Sequence, residues 1–559
     1  MCAHLAGPYQ PATTHEPCWR HYPRPVPRDV STPAESDRDL AGGVRTVSGL
    51  TLASRALGLV RDLVLVRVFG DTIVGSAFTA AFAIPNLFRR LFGEGALAAA
   101  FLPEYARLED GERQAALARI TLLGVGAVTG LLMVLIEVAL LLVLVLTPTD
   151  ESRDLSLRLI MLLLPFMPLI CTAAILGAIL QARGRFGPAA AAPIVLNLFI
   201  IAAALLHFVG PELDARRSAF AVGIATVLAG IAQVAWCLIS LGRAHALVGP
   251  ITPALAEGRL VLRRFGPVVI GMGAIQINAL LDQLIAMWPA WVGPTIAGID
   301  YPLDVRSNAI LGFTQRLYQF PLGVFGIAVA TVAFPMLSRV AQGPQFAVVL
   351  AKAIRLSLFI GLPASVGLVL VRDDLVEVMF GGPSGFSDDG LVRSQAVLLG
   401  YASAVWIFSL NHVLVRAFYA MGDTTTPMRV AIGTVLVNLG LNIALIFPFG
   451  EAGLAWATSG SQLAQFVVLS LMLRRRGSLL LSAQDRAGMV RIVLASCAVV
   501  PAVLVVHAMT AREGWGDHLV SLMIACSVGV LVDAVAARLL RLKELGMLVR
   551  RAAPKELES

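Results

Sequence analysis

The residues that stand out in this sequence are charges set in otherwise apolar stretches. Arg55, Arg61, Asp62 and Arg67 share one stretch, Arg89, Arg90 and Glu94 the next, and Asp282, Arg316 and Arg416 lie in three later ones. An arginine at the centre of a bilayer costs at least ~2.5–3.5 kcal/mol on insertion scales, so it persists where it faces a protein-lined, hydrated cavity. Its planar fork binds phosphate bidentately and keeps its charge in a low dielectric. Several arginines around one cavity call for an anion with more than one negative charge, and a diphosphate is the obvious biological candidate. Each residue also has a plainer reading. Arg67 and Arg416 lie near helix ends and can snorkel. Arg61 and Asp62 can partly neutralise one another. Arg90 and Glu94, at i and i+4, read as an intrahelical pair, architectural rather than substrate-binding. Arg55, roughly eleven residues and ~16 Å into its helix, is harder to dismiss, as are Arg89 and Arg316. These three read as unpaired.

The elements that must position these charges follow from composition. Of 559 residues, 57% are hydrophobic and only 14% charged, with a mean hydropathy of +0.79. Soluble domains average about 25% charged residues, and no water-facing surface could be covered from so small a polar share. A soluble enzyme, a disulfide scaffold and a disordered chain are excluded. Long continuous apolar blocks, without alternation, exclude a β-barrel. The class is an all-α polytopic membrane protein. The net charge of +8 points to loop asymmetry rather than to nucleic acid. The six cysteines show no paired spacing and read as packing residues.

Fourteen blocks are long enough to cross ~30 Å of hydrocarbon as helices: 44–69, 73–98, 116–146, 155–182, 188–208, 218–241, 262–290, 305–338, 350–371, 391–420, 427–447, 452–473, 488–509 and 518–540. With the N-terminus inside, Arg and Lys crowd the inside loops and the C-terminal tail, as in Arg183, Arg263, Arg264 and Arg474 to Arg476. The outside loops hold few of them and carry Asp373, Asp374, Asp388 and Asp389. That alternation supports cytoplasmic N- and C-termini. A faint repeat links Pro85-Asn-Leu-Phe-Arg-Arg, Phe101, Pro103 and Arg107 to Arg316-Leu-Tyr-Gln-Phe-Pro321, Phe334, Pro335 and Arg339. It divides the chain into an N-lobe (41–245, helices 1–6), a C-lobe (246–476, helices 7–12) and two added helices (477–545). Duplicated lobes around a midplane site are a common transporter plan. Residues 1–40, with seven prolines and no apolar segment, read as a disordered cytoplasmic tail, and 546–559 as a second tail.

The block from Ser54-Arg-Ala-Leu-Gly-Leu-Val-Arg-Asp62 to Arg67-Val-Phe-Gly70, then Pro85-Asn-Leu-Phe-Arg-Arg-Leu-Phe-Gly-Glu-Gly-Ala96 and Phe101-Leu-Pro103, resembles the MurJ (MviN) family. These are lipid II flippases of the multidrug/oligosaccharidyl-lipid/polysaccharide exporter superfamily. Gln315 to Gly326, Phe418 to Pro427 and Gly453 to Ser459 continue the likeness. The resemblance implies fourteen helices in two six-helix lobes plus two. It also implies a transporter rather than an enzyme, in the bacterial cytoplasmic membrane. The substrate would be lipid II (undecaprenyl-diphosphate-linked disaccharide-pentapeptide), its tail lying along a groove near helices 13 and 14. It assigns the substrate role to Arg55, Arg61, Arg89 and Arg316, with Asp62, Arg90, Glu94, Ser76 and Gln319 supporting the cavity. Ser76 stands where many relatives have Asp, and Gln319 where some have Glu, so both changes would make the cavity more positive. Asp282, Asn438, Asn442 and Thr458 match a sodium site of the family, all hard oxygen donors; interhelical hydrogen bonding is the competing reading. No other cofactor is implied. The cell-wall synthesis machinery is the candidate protein partner, and a monomer is expected.

Four other readings compete, and buried unpaired charge argues against one of them, a purely structural scaffold. A drug/cation antiporter of the same superfamily would repel its cargo with four cavity arginines, and a flippase for another polyprenyl-diphosphate-linked glycan shares the same chemistry. A membrane enzyme acting on polyprenyl phosphates would need an acidic pair with companions, and the acidic stretch 373–389 lacks a companion His or basic cluster. If the tail is dispensable, a chain beginning at about residue 40 inserts and complements a lipid II flippase depletion like the full chain; loss of complementation with insertion intact would contradict that.

Overall fold

The structure, a computed structural model, describes residues 33–549, apart from residues 90, 92–95, 149, 211–212, 243–248, 297, 342 and 511–512. The chain opens with α1 (Pro33–Phe69), α2 (Ile73–Phe88) and α3 (Ala96–Arg107), followed by α4 (Gly111–Leu146). Next come α5 (Glu151–Leu163), α6 (Phe166–Ala182), α7 (Gly187–Val209) and α8 (Ala215–Leu241). A second series runs through α9 (Leu255–Ala286), α10 (Trp288–Trp291), α11 (Ser307–Pro321) and α12 (Ile327–Arg339). It continues with α13 (Phe346–Leu370), α14 (Arg372–Phe380), α15 (Asp388–Ala402), α16 (Val405–Ala420), α17 (Thr425–Phe449) and α18 (Glu451–Arg475). The chain closes with α19 (Ala483–Met509), α20 (Trp515–Leu539) and the short α21 (Lys543–Val549). Among the described residues the one sheet is a ribbon outside the helices, β1 (Thr295–Ile296) paired antiparallel with β2 (Ile299–Asp300).

Every expected span falls on a helix or on two consecutive ones. Nine helical stretches among the described residues are long and apolar enough to cross a membrane: α4, α5–α6, α7, α8, α13, α15–α16, α17, α19 and α20. The other five expected spans fall on α1, α2–α3, α9–α10, α11–α12 and α18, which are interrupted or carry charges such as Arg55, Asp282 and Arg316. The first helix begins at Pro33, well before Val44. Residues 33–40, expected in the tail, are therefore helical, and residues 1–32 lie outside the described residues.

Proline sets several of the breaks. Pro165 ends the run of α5, because its ring removes the amide that would continue the ladder. Pro321 closes α11, and the next five residues, Leu322–Gly326, form a π-helical turn before α12. Gly450, in a left-handed conformation (φ 56°), turns α17 into α18. A Cβ at Gly453 would strike the backbone of Leu445 and Ile446, so these two helices meet at close range.

Helices α1–α8 pack on one another, as α1 on α7, α7 on α8, α2 on α5 and α6 on α8. A second group, α9–α18, does the same through α17 on α18, α13 on α16, α15 on α18 and α17 on α9. The hairpin of α19 and α20 leans on α13 and α14. Contact between the two groups is made by α2 against α11 and α3 against α9. Large apolar side chains such as Leu131, Leu135, Val138 and Leu142 on α4 point outward, as lipid-facing positions should.

At one end of the second group a polar network closes the surface. Asp304, in the loop before α11, accepts from Arg393 at 2.8 and 3.1 Å, from the Arg306 amide at 2.9 Å and from Ser307 at 3.1 Å. Burial opposes its ionisation, but these donors outweigh burial and hold its carboxyl at about 2, below the ordinary 3.8. A depressed carboxylate stabilises fully above its unfolded pKa and stops doing so as pH falls through the folded value. The wild type should therefore melt above Asp304→Asn at neutral pH, and the gap should close between about pH 4 and pH 2. A gap that stays constant through that window would contradict the assignment.

Candidate functional site

Arg55 and Asp62 lie on one side of α1 because they are seven apart, two turns of the helix, with Gly58 between them. They face a cavity of about 1100 Å³. Its lining brings together Arg55, Arg61 and Asp62 from α1, Asn86 and Arg89 from the end of α2, and Asn197 from α7. From the second group come Phe313, Arg316 and Gln319 of α11. The four arginines assigned to substrate thus share one cavity, with contributions from both helix groups.

Their electrostatics differ from the expectation of three unpaired cations. Asp62 accepts from Arg61 Nε and Nη2 at 3.0 and 2.8 Å, and also from Arg316, which crosses from the second group to reach it. Arg316 is therefore paired; its guanidinium also lies 5.2 Å from the Phe313 ring centre. Arg61 Nη1 donates to Asn197 Oδ1 at 2.9 Å, and Asn197 Nδ2 donates to the Ser54 carbonyl at 3.2 Å. Arg89 Nε donates to Asn86 Oδ1 at 3.1 Å, so it too has a partner. Arg55 forms no ion pair with a described residue. It lies against Gly323 in the π-helical turn, where a Cβ would collide with its Nη1. Glycine there is what admits the guanidinium. Arg90 and Glu94 lie outside the described residues.

Ser76 is corrected. It does not line the cavity: it is buried between α2 and α11, where its Oγ accepts from the Ala309 amide at 3.0 Å and its carbonyl accepts from Asn308 Nδ2 at 2.9 Å. It is a bolt between helices. Ser76 therefore adds no side chain to the lining, whereas Gln319 does. Arg416, expected to snorkel, donates to Thr331 Oγ1 at 2.7 Å.

From the arginine end the cavity runs into an apolar groove. Phe359, Pro363 and Leu368 of α13 form one wall, and Val499, Val503, Leu522, Gly529 and Val530 of α19 and α20 form the other. One carboxyl, Asp533, lies in that groove with a buried oxygen that has no hydrogen-bond partner. Asn197 and Asp533 were not singled out from sequence. The available signal was a polar side chain inside an otherwise apolar span, the same signal that exposed the arginines.

A second polar cluster lies buried where α9, α17 and α18 meet. Asp282 accepts from Asn442 Nδ2 at 2.6 Å and from Thr458 Oγ1 at 3.1 Å, and Asn442 also donates to Asn438 Oδ1 at 2.9 Å. With its amide turned over, Asn438 donates to Asn278 and Asp282 instead, so the cluster holds together in either orientation. All four matched residues are in contact, and the Asn442 Oδ1 is buried without a donor.

Known proteins resemble this chain over most of its length. The family model described as lipid II flippase MurJ matches residues 65–529. A Vibrio cholerae protein described as "Probable lipid II flippase MurJ" is 32% identical over 542 residues, covering 91% of this chain and 98% of its own length. A Thermotoga maritima protein of the same description is 29% identical, covering 90% and 97%. Among solved structures, a lipid II flippase MurJ in an inward closed conformation superposes with a TM-score of 0.73 at 22% identity, over 89% of this chain and 99% of that one. An inward-facing multidrug resistance MATE transporter of the MOP superfamily gives 0.59 at 14% identity, over 76% and 94%. These are transporters and not catalysts, and a chain matched over most of its length by both the family model and full-length relatives is a multi-pass membrane protein of the lipid II flippase MurJ family.

Proposed function

We propose that this chain carries lipid II from the inner to the outer leaflet of the bacterial cytoplasmic membrane by alternating access, with both termini cytoplasmic. One observation carries the reading: a chamber with four arginines opens directly into an apolar groove. That combination is complementary to an amphiphile whose diphosphate needs bidentate donors and whose polyprenyl chain needs hydrocarbon. Arg55, which forms no ion pair with a described residue, is the first receptor for a phosphate oxygen. Arg61 and Arg316 are held in place by Asp62 and can share their remaining N–H groups with the ligand, which Arg89 meets from α2. Because Arg316 comes from the second helix group and the other three from the first, a bound diphosphate ties the two groups together. Rocking of one group, as the N-lobe, against the other, as the C-lobe, would then present the head to the opposite side while the tail stays along α13, α19 and α20. A cationic drug would meet repulsion from the same residues.

The test is complementation of a lipid II flippase depletion, read as surface-accessible lipid II. Arg55→Ala, Arg89→Ala and Arg316→Ala are each expected to abolish complementation at normal membrane level. Arg474→Ala, exposed at the end of α18, should be silent. Near-normal activity of two of the three would overturn the diphosphate cavity.

We also propose that Asp282, Asn438, Asn442 and Thr458 hold a sodium ion. The donor set is all oxygen, carries one formal charge and includes the orphaned Asn442 Oδ1, which suits a small hard cation. A bound cation would join α9 to α17 and α18 without a protein counter-charge beyond Asp282. Binding to the native state raises its stability by mass action. The wild type should melt higher in sodium chloride than in choline chloride, and Asp282→Asn should abolish the difference. Equal wild-type midpoints would leave the cluster as interhelical hydrogen bonds.

A further inference from the structure

The turn between α1 and α2 pushes two opposite charges of the first helix group into the loop that joins α14 to α15 in the second. Arg67, in the last turn of α1, donates to the Phe380 carbonyl at 3.2 Å and to the Gly381 carbonyl, both at the C-terminal end of α14. Asp71, four residues on and almost fully buried, accepts from the Ser387 amide at 2.8 Å and from Ser387 Oγ at 2.6 Å, where Ser387 is the N-cap of α15. Helix C-termini carry partial negative charge and N-termini partial positive charge. The cation therefore sits on the negative end of one helix and the anion on the positive end of the next.

Local geometry is built for this arrangement. Gly70 takes a left-handed conformation (φ 58°) that turns the chain between the two charges. Thr72 caps α2 through the Gly75 amide at 3.3 Å. A Cβ at Gly385 would strike Arg67 Nη1, and one at Gly390 would strike the Asp71 carboxylate, so both pockets need glycine. Arg306 completes the second one, 3.4 Å from Asp71 and 2.7 Å from Asp389.

We infer that Arg67 and Asp71 form a two-charge latch that holds this end of the interface between the helix groups shut, and that rocking of the groups must release both charges at once. Five residues beyond Asp71, the neutral Ser76 bolts α2 to α11, so beside this bolt the charged contacts are those of the turn. Only the consequence of opening rests on the flippase reading; the latch itself is a property of the two groups.

The experiment labels a single cysteine with a membrane-impermeant maleimide, in membrane vesicles of both orientations and in a chain freed of its other cysteines. The reporter is Thr79→Cys, buried on α2 against Gly312 of α11. It should react slowly with the latch intact. Arg67→Gln and Asp71→Asn should each speed it about fivefold, the scale of one helix-end charge removed, and Ser387→Ala should speed it less. Native Cys171, buried inside the first group, is the reporter in a parallel series and should stay slow throughout. Unchanged Thr79→Cys rates in both charge variants would overturn the latch, as would Cys171 accelerating in step, which would mean general loosening. Labelling reads opening without substrate, so its failure and a failure of complementation are separate results.

Discussion

Much of this molecule follows from one ionic arrangement, the Asp62 carboxylate shared between Arg61 of its own helix and Arg316 of α11. A charge in the middle of a membrane protein is tolerated only when protein or water answers it. Here one carboxylate answers two guanidiniums drawn from both helix groups, which leaves the cavity cationic yet insertable. The π-helical turn after Pro321 belongs to the same constraint. It carries Gly323 under Arg55, so the arginine with no ionic partner among the described residues rests on bare backbone.

The rest of the fold can be viewed as ways of holding two helix groups together at the ends around the cavity between them. At one end the turn after α1, the Ser76 bolt and the network of Asp304, Arg306, Arg393 and Glu451 are all polar and specific. Along the groove, contact with α19 and α20 is apolar, but the hairpin is tied at each extremity. Asp374 accepts from Ser521 at 2.7 Å and meets His518 at 2.8 Å. At the other, Arg355 pairs with Asp485 at 3.2 Å and with Glu544 at 2.5 Å. Directional ties at the margins thus flank non-directional packing along the groove wall.

How much of this was legible in sequence depended on whether the signal was local. Apolar runs are local, so helices fell where expected, and arginines in apolar runs announced the cavity. Partners across helices are not local. Nothing near Arg316 in the chain announces that its carboxylate is Asp62, and nothing near Ser76 says that it faces Ala309 rather than the cavity. Asp71 escaped notice because a charge beside a glycine turn is ordinary in sequence; only the docking of α14 and α15 gives it meaning. The helical start at Pro33 was missed because a proline-rich stretch with little apolar periodicity gives no helix signal, although proline is well tolerated in a first turn.

The central claim is that the cavity recognises a diphosphate joined to a polyprenyl chain. The most direct measurement is calorimetric titration of the purified protein with farnesyl diphosphate and, separately, with farnesyl monophosphate. The diphosphate should bind more tightly by about tenfold, roughly 1.4 kcal/mol, and Arg316→Ala should remove most of that preference. Equal affinities for the two ligands, or a preference unchanged in the variant, would contradict it.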